Sequence, residues 1–270
     1  MTISNGSVFA GSDTAFGTGA LVVNTGTTVA SSSSTGRTFA NAYTMGGAIT
    51  LGDAVNNGAL TFQGVGTLSS ALTVTNPVAV TLSGAIGGGA ATLTKAGAGD
   101  LTLSGANTFT GGVTVNDGTL ILGGGAAVAD AAAVTVTTPG VLKLSSSETI
   151  GGLSGSGAVN LQLNTLTVSG SSTSTYSGVM SGGGALVLNG VGGTLTLTGT
   201  NIFSGGATVS GGAVRAGNNA AFGTGLLTIS GGSISSDSSS SRTFGNAYAL
   251  GGAVTLGHAT DSGALSFGGG

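Results

Sequence analysis

The chain has 270 residues, 40% of them hydrophobic, yet only 5% are charged and 56 are glycine, far from the roughly one-quarter charged residues of an ordinary globular domain. The net charge of −3 comes from single charges scattered along the chain, so no basic stripe exists to track phosphates, and this argues against a nucleic-acid partner. Absence of cysteine excludes disulfides and thiolate metal sites, and no apolar run approaches the roughly 18 residues that a membrane-spanning helix needs.

In chain order, the opening "MTISNGSVFAG" (1–11) has neither the basic nor the apolar region of a signal peptide. It aligns instead with residues 207–217. "AFGTGALVV" (15–23) returns as "AFGTGLLTI" (221–229), and "RTFANAYTMGGAITLG" (37–52) returns as "RTFGNAYALGGAVTLG" (242–257), with 12 identities in 16 positions. A second, shorter spacing of 94 residues links 101–123 to 195–217, with 12 identities in 23 positions, and their flanks at 81–99 and 175–193 also correspond. The chain therefore reads as one continuous β-helix over 1–270, built on a unit of about 206 residues (1–206) with a partial second copy at 207–270. It enters and leaves in mid-unit, which is expected of a window on a longer array.

Within each phrase the period is two. Leu101 and Leu103 alternate with Thr102 and Ser104, and Val113 and Val115 flank Thr114, which puts the aliphatic set inward and the threonines outward on extended strands. These short β-branched runs are broken by Gly-Gly, Asn-Asp-Gly or Ser-Gly, and the segment at 124–134 is rich in alanine and reads as a loop or a single turn. Short strands without crossover helices, repeated in phase, predict a right-handed parallel β-helix of on the order of a dozen coils, each of about 20 to 25 residues. A β-sandwich would also accept such strands, but it has no need to repeat its phrases. Outward threonines at Thr102, Thr114, Thr196 and Thr208 follow from strand propensity.

Asn107 and Asn201 share one phase, as do Phe109 and Phe203. They are expected to form structural ladders, each asparagine at a turn satisfying backbone groups and each phenylalanine in or beside the core. Arg37 with Tyr43, and Arg242 with Tyr248, are the most distinctive candidate surface contacts, able to grip a sugar or a neighbouring subunit by stacking and hydrogen bonds.

No catalytic constellation emerges. His258, with Asp261 and Ser262 behind it, lies in a turn where the earlier copy has Asp53, and three neighbours in a turn do not make the geometry of a Ser-His-Asp triad. The eight acids, Asp13, Asp53, Asp100, Asp117, Asp130, Glu148, Asp237 and Asp261, are expected mainly in solvated turns at different phases rather than as the clustered carboxylates that polysaccharide cleavage requires. No calcium-loop pattern appears, so no metal or cofactor is expected and the chain is read as a non-enzyme.

The stretches "GDLTLSGANTFTGGVTVNDGTLILG" (99–123) and "GTLTLTGTNIFSGGATVSGGAVRAG" (193–217) resemble the passenger-associated transport repeat of bacterial autotransporters and giant adhesin-like proteins. The resemblance implies a secreted or cell-surface β-helix whose repeat aids export and folding outside, and it carries no catalytic residues. The functional expectation is a stalk, adhesin or fibre element. Its expected partners are other copies of the chain, end to end or side by side, and surface glycans. The alternative is a glycan-binding or polysaccharide-degrading β-helix.

Overall fold

The computed structural model describes residues 1–269. It is all-β, without a helix among the described residues, and its parallel sheets form a β-solenoid of about 13 turns. The residues fall into two compact units, Met1–Ala129 with Pro139–Val141, and Asp130–Thr138 with Leu142 onward.

In the first unit the alternation read from the sequence becomes columns. Leu72 pairs with Leu93 and Leu93 with Val113, while the outward Thr73, Thr94 and Thr114 stack in the same register. On a second sheet the strands Arg37–Phe39, Leu60–Phe62, Val80–Leu82, Asp100–Leu103 and Thr119–Leu122 pair in sequence order. Phe39, Phe62, Leu82, Leu103 and Leu122 form one buried column there. Each such side chain contributes on the order of 1.5–3 kcal/mol by leaving water, and the next coil supplies the surface against which it does so. Phe16, Phe39 and Phe62 continue this packing with ring centroids 4.7 and 5.2 Å apart.

The second unit follows the same logic. Leu166, Leu186, Ala207 and Leu227 form an inward column, and Val168, Leu188, Val209 and Ile229 form another two residues along. Between them the outward column reads Thr167, Val187, Thr208 and Thr228. Coil length is not constant. It runs from 18 residues, where Glu148 pairs with Leu166, to 25, where Ala48 pairs with Thr73. Most of the surplus goes into corners, because strand registers are fixed by their buried faces, while the pairing of Tyr43–Leu51 with Gly66–Thr75 takes up two residues in a register shift between Met45 and Gly47.

The corners explain much of the glycine. A Cβ on Gly84 would stand 1.9 Å from the Gly64 carbonyl oxygen, and one on Gly105 would stand 2.3 Å from that of Gly84. Successive coils therefore touch backbone to backbone, a distance only glycine permits. The alanine-rich segment at 124–134 is loop and turn up to its last two residues, which begin the strand Ala133–Val136.

Candidate functional site

The polar residues with defined jobs lie at the corners, where strands stop and backbone groups would otherwise be stranded. Asn107 is buried, and its Oδ1 accepts the Ile86 N–H at 2.8 Å while its Nδ2 donates to the Ala127 carbonyl at 2.7 Å. Asn201 repeats this with the Met180 N–H at 2.9 Å and the Ala221 carbonyl at 2.8 Å. Each side chain thus ties the coil before it to the coil after it. Phe109 and Phe203 are fully buried, and the Phe203 carbonyl accepts the Thr224 N–H of the following coil at 2.9 Å.

A second asparagine corner serves the long repeat. Asn41 Nδ2 donates to the carbonyls of Gly17 and Gly19 at 3.0 and 2.7 Å, and Asn246 donates to those of Gly223 and Gly225 at 3.1 and 2.7 Å. Ahead of it, Arg37 Nε donates to the Ala10 carbonyl at 3.2 Å and Arg242 Nε to the Ala216 carbonyl at 3.0 Å. Both arginines are half-buried, and Arg242 alone pairs with a carboxylate, Asp237 Oδ1, at 2.7 Å.

One of the two tyrosine partners of these arginines requires a correction. Tyr43 is not a surface contact: it is 2% exposed, its ring packs edge-on against Phe62 at 5.5 Å, and burial pushes its phenol far above the usual value. A corner at 40–42 separates the strand Arg37–Phe39 from Tyr43–Leu51. The arginine and the tyrosine therefore lie on different sheets. Tyr248 pairs above Leu227, 43% exposed, with its ring 5.3 Å from Phe267.

His258 is exposed, with Nδ1 2.9 Å from Thr260 Oγ1 and 3.4 Å from Asp261 Oδ2, and Asp261 pairs with Arg215 at 3.0 Å. Its counterpart Asp53 accepts the N–H groups of Val55 and Asn56 at 2.8 Å each, closing a turn. Glu148 is a second correction. The acids are expected mainly in solvated turns, but this one is buried at the start of the strand Glu148–Ile150. Among the described residues, no group of three or more His, Asp or Glu side chains converges as metal ligands would.

Lys95 escaped the sequence reading. It occupies an inward position between Val74 and Val115 and is fully buried. Its ammonium donates to the carbonyls of Ala96 at 3.2 Å, Gly97 at 2.6 Å and, one coil on, Asp117 at 3.0 Å. Burial lowers its pKa to about 8, against the opposing pull of Asp117 and Asp100. The alternation Leu93-Thr94-Lys95 was the available signal, since it gives Lys95 the phase of a core residue.

Parallel pairing, inward aliphatic columns and asparagine-stitched corners define a tandem-repeat β-solenoid. Residues 93–122 and 192–216 match the family model of the passenger-associated-transport-repeat, so these two segments are similar to that repeat, and Asn107, Phe109, Asn201 and Phe203 all lie inside them. No curated protein and no solved structure matches the chain. The repeat implies an exported or surface protein, and no helix is long and apolar enough to cross a membrane among the residues described.

Proposed function

We propose that the chain is a structural segment of a long exported bacterial surface protein, serving as a stalk, adhesin or fibre element. The observation that carries this reading is the reuse of one hydrogen-bonding scheme. The Asn107 and Asn201 corners, and the Asn41 and Asn246 corners, spend their buried polar atoms on joining coils. In such an architecture length is gained by adding units, each stabilised by its neighbours. Low surface charge favours association of copies along their sides, because little repulsion opposes contact.

Insertion of one more 206-residue unit in phase is the direct test. Particles seen by electron microscopy should lengthen in proportion, with the thermal transition little changed. Particles that become wider rather than longer, or hydrolysis of a polysaccharide by the purified chain, would overturn the reading. Sedimentation across a concentration series measures the self-association, which strictly monomeric behaviour would refute.

A further inference from the structure

The long repeat builds one serine-rich corner twice. Ser31 Oγ donates to the Thr35 carbonyl and Ser236 Oγ to the Ser240 carbonyl, both at 2.7 Å. The Thr35 N–H donates to Ser33 Oγ and the Ser240 N–H to Ser238 Oγ, both at 3.3 Å. Arg37 and Arg242 are then aimed alike by their Nε bonds to Ala10 and Ala216.

The copies differ at one position that changes the chemistry. In the second, Asp237 Oδ1 accepts from the Arg242 guanidinium at 2.7 Å and from the Ser238 hydroxyl at 3.2 Å. In the first, Ser32 stands where Asp237 does. Among the described residues Arg37 has no carboxylate partner, while Arg37 Nε and Ser33 Oγ keep the backbone hydrogen bonds that Arg242 and Ser238, which hold the carboxylate, make in the other copy.

We propose that Arg37 and Ser33 bind the carboxylate of a uronic-acid unit in an acidic polysaccharide. The carboxylate is argued from Asp237, which engages the equivalent atoms. Guanidinium and carboxylate match as planar groups, and the hydroxyl adds a donor. The sugar is argued from the rim. Ser32, Ser34 and Thr35 are exposed, and the segment 31–36 contains no apolar side chain to seat a peptide. Asp13, whose Oδ1 accepts the Thr38 N–H at 3.2 Å, lies on the neighbouring coil and offers an acceptor for sugar hydroxyls. A single half-exposed site of this kind binds one unit weakly. Repetition of the corner along an array raises the avidity for a polymer.

The site stands independently of the structural role proposed above, since a stalk can lack it. Titration calorimetry with trigalacturonate should find one site per chain. Ser32→Asp supplies the carboxylate internally and should weaken binding at least tenfold, as should Arg37→Gln. Asp237→Ser frees Arg242 and Ser238 and should raise the stoichiometry to two. Circular dichroism confirms that each variant keeps its fold, and Ser32→Asp decides the matter should Asp237→Ser not fold. Absence of binding by the native chain, unchanged binding by Ser32→Asp, or equal binding of maltotriose would each overturn the proposal. Equal binding of triglutamate would also reject it, by assigning the site to any carboxylate.

Discussion

Replacement of Asn107 by alanine leaves two groups without partners, the Ile86 N–H and the Ala127 carbonyl, which it bonds at 2.8 and 2.7 Å. Both side-chain bonds are buried, and an unsatisfied buried donor or acceptor costs about 1–3 kcal/mol, so stranding two of them should cost roughly 2–6 kcal/mol. Repeat proteins open locally, so the sharpest assay is amide hydrogen exchange at Ile86 together with urea unfolding. Protection of that amide should fall by a factor of roughly 30 or more, while amides several coils away keep theirs. Asn107→Asp separates the two bonds. It retains the acceptor for Ile86 but turns a carboxylate oxygen toward the Ala127 carbonyl, so it should destabilise near neutral pH and recover as acid protonates the carboxyl. An exchange rate at Ile86 within twofold of the native value in Asn107→Ala would refute the stitching role of this side chain.

Glycine should matter by location. Gly84→Ala, whose Cβ would stand 1.9 Å from the Gly64 carbonyl oxygen, should cost at least about 3 kcal/mol in urea unfolding. Gly6→Ala meets nothing within 4 Å and is strained only by its φ of 84°, so about 1 kcal/mol is expected. The buried tyrosines should respond with opposite signs. Among the described residues the buried Tyr43 hydroxyl has no hydrogen-bond partner, so Tyr43→Phe should leave stability unchanged or raise it. Tyr176 donates to the Gly157 carbonyl at 2.8 Å, so Tyr176→Phe should lose about 1 kcal/mol, and thermal melts of the pair test this. Lys95 makes stability depend on pH. Its folded pKa of about 8 lies below the ordinary 10.5, so between those values the unfolded chain binds the extra proton, and stability should rise with pH through that window. Lys95→Met should flatten the rise. Above pH 10 the raised phenol pKa values of Tyr43 and Tyr176 act the other way, since the folded chain then holds protons that the unfolded one has lost.

Period-two alternation and repetition at 94 and 206 residues were enough to specify the solenoid. Each strand pairs with one about a coil away, as Leu93 does with Leu72 and Val113, so a nearly local periodicity already contains the register. The shared phase of Asn107 and Asn201 was legible for the same reason. What depended on the neighbouring coil was not. Tyr43 is buried because a corner turns the chain onto another sheet before Phe62 covers the ring. Lys95 tolerates the core because the Gly97 and Asp117 carbonyls meet its ammonium there. Arg37 and Arg242 share a phase, and the sequence shows Ser32 where the second copy has Asp237, but that this carboxylate folds back onto the guanidinium five residues on is decided by the corner. Alternation along a strand fixes which side of the backbone a residue takes, but coils of 18 to 25 residues absorb their differences at corners and bulges, and there only three-dimensional stacking determines which groups meet.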